Sequence, residues 1–170
     1  FEKIEAGQDF LCIVDYAHSE DSLERLIDTA RVLIARRSKQ DDLHNSSPRI
    51  ITVFGCGGDR DHGKRPRMGA VATRLSDLVI ITSDNPRSEE PNDIIREIES
   101  GTMRDNYIVE PDRKKAIRKA VSTAREGDIV LIAGKGHEDY QEIKGVRYHF
   151  SDKEVIDEFI KNKLNVQNAV

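Results

Sequence analysis

A chain of 170 residues, 37% of them hydrophobic, is long enough to bury one well-packed core and too short for two comfortable ones, so a single domain is expected. Charged residues make up 34% with both signs interspersed and a formal net charge of −4, which argues against nucleic acid or an anionic membrane as a partner. Cys12 and Cys56 lack C-x-x-C spacing and suggest neither a zinc site nor a disulfide framework, and no apolar run approaches the ~18 residues of a membrane span.

The chain opens on Phe1-Glu2-Lys3 without an initiator methionine or the basic and apolar regions of a signal peptide, as a fragment of a longer protein in a reduced, cytosol-like setting would. A first strand is expected over Phe10 to Val14, followed by Leu23, Leu26, Ile27, Ala30, Leu33 and Ile34 at helical spacing. Arg36 to Arg49 is polar and aperiodic, includes Asn45-Ser46-Ser47-Pro48, and reads as an exposed loop. Strands follow at Ile50 to Phe54 and Leu78 to Thr82, separated by a stripe of Met68, Val71, Ala72 and Leu75. Pro91 opens and Gly101 closes a short helix carrying Ile94, Ile95 and Ile98.

After a strand at Tyr107 to Val109, Asp112 is placed as the N-cap of a helix with Ala116, Ile117, Ala120, Val121 and Ala124, and Gly127 as its stop signal. The fifth strand is Ile129 to Ala133. Tyr140 to Ile143 and Val146 to Phe150 then alternate around Lys144-Gly145, a tight hairpin expected to supply one antiparallel edge strand. Ser151 and Glu154 have capping-box spacing ahead of Val155, Ile156, Phe159 and Ile160. The sum is an α/β, Rossmann-like fold: a mostly parallel sheet of about six strands, helices on both faces and one antiparallel edge strand.

Ligands of such sheets gather at the carboxyl ends of the strands, and four of those ends are unusually polar. They are Asp15-Tyr16-Ala17-His18, the glycine-rich Gly55 to Pro66, Asp84-Asn85-Pro86-Arg87, and Gly134-Lys135-Gly136-His137-Glu138-Asp139. Gly58, Gly63 and Lys64 have P-loop spacing, but Arg65 cannot supply the Mg²⁺-binding hydroxyl; Gly55 and Gly57 begin a dinucleotide fingerprint, but Arg60 takes the place of its third glycine. What survives is a loop with Arg60, Lys64, Arg65 and Arg67 suited to phosphates or carboxylates, or simply solvated.

Asp84-Asn85-Pro86-Arg87 divides between a turn, which explains Asn85 and Pro86, and a carboxylate site, which explains a planar Arg87 after a buried strand. Gly134 permits close backbone approach and Glu138 can hold an ammonium group, against the plainer reading of a strand-ending loop. His18 and His137 are either proton carriers or hydrogen-bonded structural groups. No residue is singled out as catalytic, and no metal ligand.

Taken together, Val14 to His18, Val53 to Gly69, Thr82 to Pro91 and Ala133 to Tyr140 resemble the C-terminal domain of the Mur ligases, most closely those adding meso-diaminopimelate. The resemblance implies amide-bond formation in which ATP phosphorylates a substrate carboxylate and an amino group attacks the acyl phosphate. The P-loop, the Mg²⁺ ligands and most ATP contacts would lie in a central domain, and UDP-N-acetylmuramoyl-dipeptide would be held by an N-terminal one; neither is in this chain, which would be inactive alone. By position, Arg60, Asp84, Asn85, Pro86, Arg87, Gly134 and Glu138 would bind diaminopimelate. Arg87 would face its distal carboxylate, and Gly134 and Glu138 its distal amino-acid head. Asp15, Tyr16, His18 and Lys64 would approach the nucleotide. Such a protein would be cytoplasmic in bacteria. The alternatives are a non-enzymatic plastid-type scaffold in the chloroplast stroma, or a ligase adding another amino acid.

Overall fold

The computed structural model describes residues 1–37 and 47–168. Along the chain lie β1 (Glu2–Ile4), β2 (Leu11–Asp15), α1 (Glu20–Arg37), β3 (Ile50–Phe54), α2 (Lys64–Leu75), β4 (Leu78–Ile81) and α3 (Pro91–Glu99). They are followed by β5 (Tyr107–Val109), α4 (Arg113–Thr123), β6 (Ile129–Ala133), β7 (Tyr140–Ile143), β8 (Val146–His149) and α5 (Asp152–Asn168). Strands β3 and β6 are buried at every position, because a central parallel strand covered by helices on both faces has no solvent side.

The six-stranded sheet has the order β1-β2-β6-β3-β4-β5 and is parallel except for the β1–β2 pair. Helices α1, α2 and α3 seal one face with Leu23, Ile27, Met68 and Ile98 against Ile13, Phe54 and Leu131. On the other face, Ile117 and Val121 of α4 and Ile156 and Ile160 of α5 cover Val53, Val130 and Ile132. Burying a side chain of this kind is worth roughly 1.5–3 kcal/mol, so the two layers carry most of the fold's stabilisation.

The antiparallel edge expected of the fold is present, but it comes from β1 and not from the hairpin. Glu2 and Lys3 of β1 are charged and exposed, so no alternating pattern marks the strand; pairing with Val14 and Ile13 creates it. The hairpin β7–β8 forms at the expected residues, with Lys144 and Gly145 both at positive φ as its two-residue turn demands, yet it is a separate two-stranded sheet. Asp112 caps α4 through its Oδ1 to the Lys115 N–H, and α4 stops at Thr123, short of Gly127. The Ser151 capping box is half formed: the Glu154 N–H reaches Ser151 Oγ at 3.4 Å, while the Glu154 carboxylate turns to His149. Of the expected loop Arg36 to Arg49, residues 38–46 lie outside the described residues; Arg36 and Arg37 are helical, and Arg49 is fastened to Asp128.

Candidate functional site

Strands β2, β6, β3 and β4 are consecutive neighbours, and their register aligns Asp15 with Ala133 and Phe54 with Ile81. The four polar segments therefore leave the sheet side by side. Between them lies a cavity of about 340 Å³ lined by Tyr16, His18, Arg60, Lys64, Asp84, Asn85, Arg87, Gly134 and Glu138, together with the Gly55-Cys56-Gly57 turn and Asp61. Nine of the eleven residues singled out in the sequence thus line one cavity. The other two do not: Pro86 packs its carbonyl against Gly58, and Asp15 turns back to accept a hydrogen bond from the Ala17 N–H at 2.8 Å. A wider groove of about 530 Å³ between α4 and α5, lined by Arg118, Phe159 and Lys163, receives no strand-end loop.

Three residues of the Asp84 to Arg87 loop, Asp84, Asn85 and Arg87, are held from outside the sheet. Gln141 Nε2 donates to the Asp84 carbonyl at 2.7 Å, and the Glu142 N–H donates to Asn85 Oδ1 at 3.0 Å. Arg87, at φ 52°, exchanges backbone bonds with the hairpin: its N–H donates to the Glu142 carbonyl and its carbonyl accepts from the Lys144 N–H. Its Nη1 donates to the Gly58 carbonyl at 2.9 Å and its Nε lies 3.8 Å from Glu142 Oε2, which leaves Nη2 without a protein partner among the described residues. The hairpin is thus a clamp on the loop, which is why it does not extend the main sheet.

The Asp84 carboxylate is buried and accepts no hydrogen bond among the described residues. Burial raises its pKa above the ordinary carboxylate value, and the positive charges of Arg113 and Lys135 only partly offset this. Its ionised form would be favoured by a cation entering the cavity beside it. Glu138 Oε2 accepts from Asn85 Nδ2 at 3.0 Å and from Lys135 Nζ at 3.2 Å, while its Oε1 is unengaged among the described residues. On the rim, the exposed Tyr16 ring lies 4.7 Å from that of His18 and 6.1 Å from that of His137, and Lys64 Nζ donates to the His18 carbonyl. Cys56 lines the cavity as a buried thiol whose pKa burial pushes up to about 12, so it is not a nucleophile at neutral pH.

Three supporting groups lie outside the candidate ligand residues, and of these the sequence marks only Arg65, as suited to phosphates or carboxylates; the fold instead pairs it internally. Lys135 is fully buried beneath Asn85 and Glu138. Arg113 and Asp152, also fully buried, form a two-pronged ion pair at 2.7 Å per bond, and the same guanidinium donates to the carbonyls of Ser83 and Ala133. An arginine at the first position of a helix, where the dipole disfavours a cation, was the available signal. Arg65 is the third: it grips Glu89 through both terminal nitrogens and reaches Glu97 at 3.0 Å and the Gly57 carbonyl at 3.0 Å. Its hydrogen bonds draw the pKa of Glu89 down to about 2. The ligand atoms of His62, Glu89 and Glu97 lie within 4.8 Å of one another, but the guanidinium already satisfies that charge, so the cluster does not fit a divalent cation.

The fold is a Rossmann-like domain whose strand ends bring an unpaired carboxylate, a free guanidinium edge and a glutamate, groups of both signs, to one polar cavity. The chain belongs to the Mur ligase family: the family model described as "Mur ligase, glutamate ligase domain" matches residues 1–136. It is 52% identical, over 88% of its length and 28% of the relative's, to the UDP-N-acetylmuramoyl-L-alanyl-D-glutamate--2,6-diaminopimelate ligase of Clostridium botulinum. To the enzyme of the same name from Aquifex aeolicus it is 50% identical, over 94% of this chain and 31% of that one. A solved structure of such a ligase superposes with a TM-score of 0.81 at 39% identity, over 96% of this chain and 31% of that one. The chain thus spans under a third of the length of these relatives.

Proposed function

We propose that this chain is the C-terminal, amino-acid-binding domain of an ATP-dependent ligase that adds meso-diaminopimelate to UDP-N-acetylmuramoyl-L-alanyl-D-glutamate, a step of peptidoglycan precursor synthesis. The observation that carries this reading is the Asp84 to Arg87 loop, which turns an unpaired carboxylate and a guanidinium with a free Nη2 towards one cavity. Diaminopimelate differs from lysine by a carboxylate on its distal carbon. Arg87 supplies the planar fork for that carboxylate, while Asp84 and Glu138 supply acceptors for the ammonium beside it. A lysine in the same cavity leaves Arg87 unpaired and close to a cation, so it is disfavoured twice. Arg60 and Gly134 complete the ligand contacts, and Pro86 contributes by stiffening the loop.

In this reading ATP and Mg²⁺ are held mainly by a preceding central domain, and the UDP-sugar by an N-terminal one. ATP supplies the phosphoryl group that activates the acceptor carboxylate. This chain's own part is to hold the incoming amino acid in line and to meet the nucleotide with Tyr16, His18 and Lys64. Asp15 shapes that segment through the Ala17 N–H without reaching the cavity. No helix among the described residues is long and apolar enough to cross a membrane, and a cytoplasmic setting fits the soluble substrates. The bacterial relatives lend no support to a chloroplast placement.

Calorimetric titration of the full-length protein tests the assignment. Diaminopimelate is expected to bind more tightly than lysine, and Arg87→Met to weaken diaminopimelate roughly 10- to 100-fold, as loss of a charge-assisted pair dictates, while tightening lysine by removing the unpaired cation beside it. Equal affinity of the unmodified protein for both amino acids would overturn the reading.

A further inference from the structure

Gly134 and Gly136 flank Lys135 with φ of 117° and 55°, backbone conformations that side chains disfavour. The space is as restrictive as the angles: a Cβ on Gly134 would sit 2.5 Å from Asp84 Oδ2, and one on Gly136 2.9 Å from Tyr16 Cβ. Through this double turn the chain sends Lys135 inward to complete burial. Its Nζ donates to Asn85 Oδ1 at 2.9 Å and to Glu138 Oε2 at 3.2 Å, and lies 5.3 Å from the centre of the Tyr140 ring. A buried ammonium is costly unless paired and hydrogen-bonded, and this one is. Lys135 does not line the cavity, and ligand recognition as described above makes no use of it.

Its effect falls on the two residues above it. An amide has two planar orientations that present opposite groups to a ligand. In Asn85 the oxygen receives Lys135 Nζ and the Glu142 N–H, which uses both of its lone pairs. The flipped amide would set its NH₂ against an ammonium and a peptide N–H, two donor–donor clashes, so only one orientation is tenable. That orientation points Nδ2 at Glu138 Oε2 and keeps a second N–H in hand. Glu138 is fixed in the same way, with Oε2 shared between Lys135 and Asn85 and Oε1 left over.

We propose that Lys135 is a positioning residue for amino-acid recognition: its buried ammonium sets the Asn85 amide and the Glu138 carboxylate so that one N–H and one carboxylate oxygen face the cavity. These form a matched pair for the carboxylate and ammonium of one α-amino-acid head. The inference rests on the cavity being the amino-acid site.

The test is steady-state kinetics on the full-length protein with Lys135→Met, varying diaminopimelate and ATP separately. The expected result is a rise of roughly tenfold or more in KM for diaminopimelate with KM for ATP unmoved, the size of one lost charge-assisted contact. Glu138→Gln and the double variant complete a cycle. If Lys135 acts through Glu138, the double variant is no worse than the poorer single one, whereas independent effects multiply. Multiplying effects, or equal rises in both KM values alongside a lowered melting temperature, would overturn the proposal and leave Lys135 a structural residue. Where Lys135→Met does not fold, Lys135→Gln keeps an uncharged donor one bond shorter, and is expected to raise KM for diaminopimelate by less, again with KM for ATP unmoved. If the unmodified protein does not use diaminopimelate, the functional reading fails first and this inference with it; if it does and the Lys135 variants match it, the inference alone fails.

Discussion

At the scale of single residues, Asp84 shows what a binding site costs its fold. The folded chain holds the Asp84 proton to a higher pH than an unfolded chain would, where the ordinary value is 3.8, because burial disfavours the ion. The stability linked to it is therefore fully present below that value and is lost as pH rises through the raised one. A ligand ammonium reverses the balance, since it binds the ionised form. Affinity for the amino acid is thus expected to rise with pH across the raised Asp84 pKa and then level off. Asp84→Asn should flatten that slope and weaken binding, yet raise the melting temperature through on the order of 1 kcal/mol of stability. Titration calorimetry over a pH series, with thermal unfolding alongside, checks both halves. A variant that is less stable and still binds with the same slope would contradict the assignment.

At the scale of elements, the hairpin β7–β8 matters through its backbone. It contributes two bonds to Arg87 and one N–H to Asn85, so distorting it should disturb ligand binding without unfolding the sheet. Lys144→Pro is the sharpest probe, because it deletes the N–H that donates to the Arg87 carbonyl at 2.7 Å and cannot adopt the native φ of 50°. Hydrogen exchange is expected to show lost protection at the Arg87 and Glu142 amides, with core strands β3 and β6 unchanged and amino-acid affinity down roughly tenfold. Global loss of protection would mean that the hairpin supports the fold and not the loop.

The hairpin also marks a boundary of what was legible. Its strands and turn could be read because alternation and Lys144-Gly145 are local signals, but its docking on Arg87 depends on pairing between distant segments. Strand β1 was invisible for the same reason, since two charged residues become a strand only beside Val14 and Ile13. The cavity-lining residues stood out as polar segments at strand ends. Arg113 did not, and Lys135 and Arg65, though inside those segments, could not be told from cavity-facing residues, because nothing in a charged residue's sequence context says that its charge is neutralised by a partner 3 to 39 positions away.

At the scale of the whole molecule, the Arg113–Asp152 pair joins what the chain keeps apart. Arg113 begins α4 and Asp152 begins α5, and the Arg113 guanidinium also donates to the carbonyls of Ser83 and Ala133, each just short of a site residue. The pair thus ties the helical layer to the strand ends that carry Asp84 and Gly134. Breaking a buried pair from one side leaves the other charge stranded, so Arg113→Met should cost about 3–5 kcal/mol. For a chain of this size that is a drop in melting temperature of roughly 6–20 °C. Replacing both partners, as Arg113→Met with Asp152→Leu, removes the stranded charge and should restore much of the stability. It should not restore ligand affinity, because the Ser83 and Ala133 carbonyls remain without their donor and the strand ends are free to shift. Circular dichroism melts paired with calorimetric titration separate the two effects. A double variant that regains stability and full affinity together would make the pair an element of the fold alone; stability regained with affinity still low would make it the link through which the helices set the site.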